Sequence, residues 1–337
     1  MNKFFKITLL ISVPILLYWL FIYKPDKNVF QIDGKKFNVR QNRTLLKSTV
    51  ITTPKKIISI EVTSDNRINC IPFEENDTQL YIQLDSNNKL VKSVEKQKGA
   101  VVLLHKIIDT SSYFIIQSNE KFICIKENGG RFDSIYLNIK ADSYFEIDSN
   151  LIIYSNLDNG IYSINKLDYT SNKLIDSINI SNILKTQELH KELIYFGRLI
   201  ASGDNYIYKS IYSSFGISIN RYNFNTYKIF QSLDSINLPT IKTTEIAKGI
   251  FQNSINPSIY PAWQLVSNND SSYYILSFIG VNQNTHFLDL YENQKYKKSY
   301  LIPHFGKNRA YWVAFNKNKS AIYVLYDDYS TIIKYFL

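Results

Sequence analysis

The sequence predicts an all-β protein, a six-bladed β-propeller preceded by one N-terminal transmembrane helix. Three observations lead there. A phrase of strand, polar turn and strand recurs five times, four-stranded units repeat at a spacing of about 40 residues, and an uncharged apolar run occupies residues 7–23. Composition agrees: 26 Tyr and 20 Phe stand against a single Met, with Ile abundant throughout, a stock suited to pleated, half-buried strands. With 45% hydrophobic and 20% charged side chains, the 337 residues can bury a core, which excludes a wholly disordered chain.

The first element is residues 1–27. Lys3 and Lys6 precede the apolar run, and Lys24, Pro25, Asp26 and Lys27 close it. Seventeen residues at a helical rise span roughly 25 Å, and Phe4 and Phe5 lengthen the apolar surface, so residues 4–23 reach the lower limit for a membrane span. Pro14 removes one backbone donor, which membrane helices tolerate. The competing reading is a cleaved signal peptide, but the run ends in Trp19, Leu20, Phe21, Ile22 and Tyr23 instead of a small-x-small site. A retained signal anchor with a short inner tail puts the bulk of the chain outside the cytoplasm, in the periplasm or the exterior. Without the anchor's flanks the chain keeps 35 basic and 28 acidic side chains, so the total charge of +10 falls to +7, a surplus that a Lys-rich composition accounts for.

Residues 28–54 form a lead-in with three strand-like runs, at 29–32, 36–39 and 45–52. A propeller exposes a bare strand edge between its first and last blades unless an N-terminal strand completes the last one. The run at 45–52 lies directly before the first blade and is the expected closing strand.

Residues 55–337 carry the propeller. The repeated phrase reads LYIQL at 80–84 with LVKSV at 90–94, FICIK at 122–126 with FDSIY at 132–136, IYSIN at 161–165 with LIDSI at 174–178, ISINR at 217–221 with YKIF at 227–230, and FLDLY at 287–291 with YKKSY at 296–300. The copies begin 42, 39, 56 and 70 residues apart, and two further strand-like runs precede most of them. The longest gap holds the polar, Pro-bounded stretch 238–257, an insertion too poor in strand signal to make a blade. A sixth unit at 310–315, 321–326 and 331–336 is one strand short, which is the vacancy the closing strand fills.

Chemical motifs are mostly missing. His105, His190, His286 and His304 have no spacing that would clamp a metal, and no nucleophile elbow, dinucleotide fingerprint or phosphate loop occurs. The pairs Glu74-Glu75 and Asp327-Asp328 are adjacent, and adjacent strand residues point to opposite faces. Cys70 and Cys124 sit in apolar strands and read as small buried side chains. The sequence indicates no catalytic residue and no cofactor. Nucleic acid is disfavoured, since the one basic, aromatic stretch (296–300) splits its Lys side chains between two strand faces.

What remains is the loop face of a propeller, where the connections between blades gather. Tyr260 and Trp263 lead into the fifth blade; His304, Lys307 and Arg309 lead into the sixth; Arg198 lies on the inner strand of the fourth as a channel-facing cation. Aromatic surface with cationic tips suits recognition of a protein or peptide partner.

The stretch 287–303 (FLDLYENQKYKKSYLIP) resembles the outer strands of bacterial six-bladed TolB-like propellers, a likeness that extends over roughly residues 55–337. Its motifs are structural. The resemblance implies periplasmic binding and scaffold proteins, with propeller enzymes such as lactonases or quinone-dependent dehydrogenases, their ligands drawn from several blades, as the alternative.

Overall fold

The computed structural model describes residues 29–32, 35–38, 42–73, 77–119, 121–139, 145–158, 161–184, 197–233, 242–248, 250–254, 262–269, 271–277 and 285–337. The expected membrane helix lies outside them; among the described residues no helix is long and apolar enough to cross a membrane. The chain divides into two units, Met1–Gln41 and Asn42–Leu337. In the first, Val29–Ile32 pairs antiparallel with Lys35–Asn38.

Among the described residues the second unit contains six blade sheets, each built around three or four consecutive antiparallel strands. Blade 1 comprises Ile57–Val62, Ile68–Pro72, Gln79–Leu84 and Leu90–Glu95. Blade 2 comprises Val101–Ile108, Ser111–Ser118, Lys121–Asn128 and Arg131–Leu137. Blade 3 comprises Phe145–Asp148, Leu151–Asp158, Ile161–Asp168 and Lys173–Asn179, and a helical turn, Ile180–Leu184, follows it. Blade 4 comprises Gly197–Ser202, Asn205–Ser210, Phe215–Asn220 and Tyr227–Gln231. Blade 5 comprises Gln264–Asn269, Ser272–Ser277, Thr285–Glu292 and Lys295–Pro303. Blade 6 comprises Ala310–Phe315, Ala321–Tyr326 and Thr331–Phe336.

The last blade takes its fourth strand from the lead-in. Leu46–Thr52 pairs antiparallel with Thr331–Phe336, from Thr52 opposite Thr331 to Leu46 opposite Phe336. Just before it, Asn42–Thr44 adds a fifth, parallel strand to the outer edge of blade 5. That short pairing left no trace in the sequence, because three residues without apolar alternation give no period to read. The insertion between blades 4 and 5 folds back as a separate hairpin, Lys242–Ala247 with Ile250–Ser254.

The first strands of neighbouring blades contact one another in an unbroken cycle, so they surround the axis. The hydrophobic core follows that ring. Among the described residues it falls into six clusters, one at each junction between blades: Tyr81 with Phe114 between blades 1 and 2, Tyr113 with Tyr154 between 2 and 3, and Tyr162 with Tyr208 between 3 and 4. Ile207 with Tyr273, Tyr274 with Val324, and Ile60 with Leu325 complete the circle at the remaining junctions. A blade alone cannot bury both faces, so closure is what takes these rings and branched side chains out of water. The lead-in contributes to two junctions, Leu45 to that between blades 5 and 6 and Ile51 to that between 6 and 1.

Turn chemistry agrees with the polar punctuation. Gly129 and Gly130, in the hairpin turn of blade 2, have φ of 57° and 86°, and Asn66, Asn88 and Asn172 hold positive φ in other turns. Cys70 and Cys124 are both free and buried, as small core side chains. Burial pushes the Cys124 thiol up to about 12 and raises that of Cys70 as well, so both stay protonated.

Candidate functional site

Two places on the ring concentrate polar or exposed aromatic groups. The first is the end at which the innermost strands begin. Gly197 opens the inner strand of blade 4 because a Cβ there would lie 2.3 Å from the Tyr208 ring. The next residue, Arg198, turns its guanidinium toward blade 5: Nε donates to the Trp263 carbonyl at 2.8 Å, and the group lies 5.6 Å from the Trp263 ring centre. Trp263 in turn donates its indole N–H to the Tyr311 carbonyl at 2.8 Å, with the two rings 5.5 Å apart. Tyr311 meets Tyr329 edge-on at 5.0 Å, and Tyr329 meets Phe73 at 4.9 Å. One cation and four rings therefore form a continuous arc from blade 4 to blade 1. Phe73 is 46% exposed at its end, and Trp263, Tyr311 and Tyr329 are half-buried.

Of the sequence candidates, Arg198 and Trp263 meet in this arc. Tyr260 lies outside the described residues. His304, Lys307 and Arg309 share one loop but diverge. Arg309 is held by Asp327, with Nε 2.7 Å from Oδ2. His304 stands 5.0 Å from the buried His286, and burial lowers both imidazoles, His286 to about 4. Lys307 is exposed in a tight turn closed by Phe305 and Asn308, with Gly306 at φ 63°. Tyr311, Tyr329 and Phe73 went unread in the sequence because each belongs to a different blade or turn, and only closure of the ring aligns them.

The second place is the axis. The inner strands enclose a cavity of about 320 Å3 whose charged lining is Glu61, Lys106, Glu146, Arg198 and Lys319. Lys106 forms an ion pair with Glu146 across the junction of blades 2 and 3, and donates to the Ile147 carbonyl at 3.1 Å. Lys319, in the first turn of blade 6, donates to the Ser267 carbonyl of blade 5 at 3.2 Å. Glu61 makes neither an ion pair nor a hydrogen bond among the described residues. Although the residue as a whole is partly exposed, the channel walls enclose its carboxyl, and this desolvation pushes it up to about 7 against the opposing pull of Lys106 and Lys319. Burial pulls Lys106 down to about 8, opposed by the nearby Glu61 and Asp148, and lowers Lys319 too. His105 also lies on the lining, its ring stacked on Phe114 at 4.6 Å with the Tyr81 ring 6.2 Å away, and burial pulls it down to about 3.

The lining is therefore mixed, with His105, Gln264 and two carboxylates, Glu61 and Glu146, set among apolar side chains. Among the described residues no three His, Cys, Asp or Glu side chains are grouped to hold a metal. One signal in the sequence pointed to the axis: a single carboxylate or ammonium inside a mostly apolar first strand, as in IISIEV and VVLLHKII.

No family profile matches the chain, and no curated protein matches its sequence. The fold is that of solved WD40 β-propellers. The WD40 domain of Neurospora crassa Pan2 superposes with a TM-score of 0.51 at 7% identity, covering 88% of this chain and 95% of that one. A chain of the mitotic checkpoint complex gives a TM-score of 0.52 at 7% identity, covering 91% and 97%. Raptor from Chaetomium thermophilum gives 0.54 at 6% identity, covering 88% of this chain and 29% of its own. At such identities the likeness establishes the fold alone.

Proposed function

We propose that the protein is a binding or scaffold module whose protein or peptide partner docks on the end of the ring that carries the Arg198–Trp263–Tyr311–Tyr329–Phe73 arc. The arc is the observation that carries this reading. Aromatic side chains supply large contact area at low entropic cost, and cations at the rim steer an acidic partner. Arg198 sits within the arc, and Lys307 and Arg309 stand on the loop entering blade 6. The neighbours found in multiprotein assemblies, such as the mitotic checkpoint complex, support a scaffold role by fold. We further propose, from residues 4–23 and their flanking lysines, that the chain is anchored in a membrane with the ring outside the cytoplasm, as the TolB-like resemblance also suggests.

The test is site-directed photo-crosslinking of the full chain in native membranes. A crosslinker at Phe73 and one at Lys307 should capture the same partner, while one at Tyr136, 65% exposed on the outer strand of blade 2, should not. Equal capture from all three positions would remove the loop end as the docking surface. Mass spectrometry of the mature N-terminus tests the anchor, which loss of the first 25 or so residues would refute.

A further inference from the structure

We propose that the partner presents a proline-rich segment, in the polyproline II conformation, to Tyr311, Tyr329 and Phe73, with an acidic residue toward Lys307. This rests on the docking end proposed above and names the chemistry of what docks there. The Tyr311 and Tyr329 rings are 5.0 Å apart and inclined at 73°, and the Tyr329 and Phe73 rings are 4.9 Å apart at 31°. Tyr311 and Phe73 therefore stand at most about 10 Å apart, close to one turn of a polyproline II helix, three residues at a rise of about 3.1 Å. Prolines three residues apart lie on one side of that helix, so two pyrrolidine rings can meet the three aromatic rings at once. Backbone bonds hold the receiving surface in place: the Ile57 N–H donates to the Tyr329 carbonyl at 2.6 Å, and the Phe73 N–H to the Lys56 carbonyl at 2.9 Å. A surface ordered in advance loses little freedom on binding.

Hydrogen bonding selects the ligand. Among the described residues neither the Tyr311 nor the Tyr329 hydroxyl has a partner, so both are available as donors. The acceptors around them are taken. The Tyr311 carbonyl accepts from the Trp263 indole, the Tyr329 carbonyl from Ile57 and the Ser330 carbonyl from Thr53. Asp327 holds Arg309, and Asp328 accepts from Asn308, Ser330 and Thr331. The surface thus suits a ligand rich in acceptors and poor in donors. Proline has a carbonyl and no N–H, and polyproline II makes no internal hydrogen bonds, so its carbonyls stay free for the two phenols. A helical partner spends its carbonyls internally, and an added strand would bring N–H groups that find no open carbonyl here. Aromatic-lined grooves exploit the preformed, low-entropy proline helix in just this way. Charge adds a direction. Lys307 is exposed, makes no ion pair among the described residues, and stands on the turn that Asn308 ties to Asp328, next to Tyr329. Near Phe73 the sequence sets Lys55 and Lys56 against Glu74, Glu75 and Asp77, so only the Lys307 side favours an acid.

Isothermal titration of the full chain with a glutamate-flanked oligoproline tests this. The peptide should bind at one site per chain. The same peptide with alanine for every proline should bind at least tenfold weaker, and a lysine-flanked oligoproline several-fold weaker. Phe73→Ser, at an exposed position, should weaken binding at least tenfold. Tyr311→Phe and Tyr329→Phe together keep the rings and remove only the donors, and should weaken it at least fivefold, whereas Tyr136→Ser, on the outer strand of blade 2, should leave it unchanged. Should a variant not fold, the peptide series on the wild-type chain still decides. Equal binding of the proline and alanine peptides, absence of a one-site isotherm, or full affinity in the folded double Phe variant would each overturn the assignment. Capture of one partner from both Phe73 and Lys307 while no oligoproline binds would overturn the proline chemistry and leave the docking end standing. Failure of both experiments would remove the two together.

Discussion

The side-chain amide of Gln264 pairs in both directions with the backbone of Val313. Its Nε2 donates to the Val313 carbonyl at 3.0 Å, and its Oε1 accepts the Val313 N–H at 2.7 Å. Gln264 is buried in the first strand of blade 5 and Val313 in that of blade 6, so the amide does for two inner strands what a ladder of backbone bonds does within a sheet. Other junctions have their own polar ties. Lys92 meets Glu127 between blades 1 and 2 at 2.9 Å, and Asp148 accepts from the Tyr206 hydroxyl at 2.8 Å and pairs with Arg221 between blades 3 and 4. Hydrophobic contact brings the blades together without direction, and these bonds set how each is rotated against the next.

Replacing Gln264 by Leu keeps the volume but strands a buried N–H and a buried carbonyl of Val313. The expected loss is about 2–4 kcal/mol of unfolding free energy, read from the urea midpoint with the slope unchanged. A loss under about 0.5 kcal/mol, the size of an ordinary surface substitution, would mean that water replaces the amide at no cost.

Closure by the lead-in gives a second expectation. Removing residues 1–41 should leave a cooperative thermal transition, because every described core cluster lies beyond them. Removing residues 1–52 takes away Leu45, Ile51 and the partner of Thr331–Phe336, leaving an open strand edge. That shorter chain should aggregate or melt without cooperativity in circular dichroism and size-exclusion chromatography, and a monomeric, cooperative product would show that the ring closes without its fourth strand.

Tyr326 donates its hydroxyl to the Pro303 carbonyl at 2.9 Å and lies 2.6 Å from the hydroxyl of Tyr335, which therefore donates to it. Tyr326→Phe orphans both the carbonyl and the second hydroxyl, whereas Tyr335→Phe leaves the bond to Pro303 in place. The first should cost about 1–3 kcal/mol and the second about 0.5–1.5, measured by chemical denaturation. The reverse order would contradict the donor assignment.

The acid in the channel makes stability depend on pH. Glu61 gives up its proton near 4.5 when unfolded and at about 7 in the folded chain, so between those values the native state holds the extra proton and stability falls as pH rises. Lys106 acts in a higher window and with the opposite sign: folded at about 8 and unfolded near 10.5, it lets stability rise with pH between them. Relative to Glu61→Gln, the wild-type protein should lose about 1–3 kcal/mol between pH 4.5 and 7.5. A difference that stays constant across that range would place the carboxyl in contact with bulk water.

The sequence alone determined the blade count, the five strand phrases and the strand that closes the ring, down to a residue at its start. These were legible because a strand with one face against its neighbour must alternate, and its turns must be polar or carry Gly and Asn. The apolar N-terminal run belongs to the same class of local signal. Arg198 and Trp263 were legible as candidates from position and composition, yet their contact was not. Glu61, Lys106, Glu146 and Lys319 sit on four blades, and nothing in the spacing from Glu61 to Lys319 says that they face one cavity. Only tertiary structure decided that, because which side chains share the axis depends on the twist of every blade and on closure of the whole ring, a condition that no local stretch of chain contains.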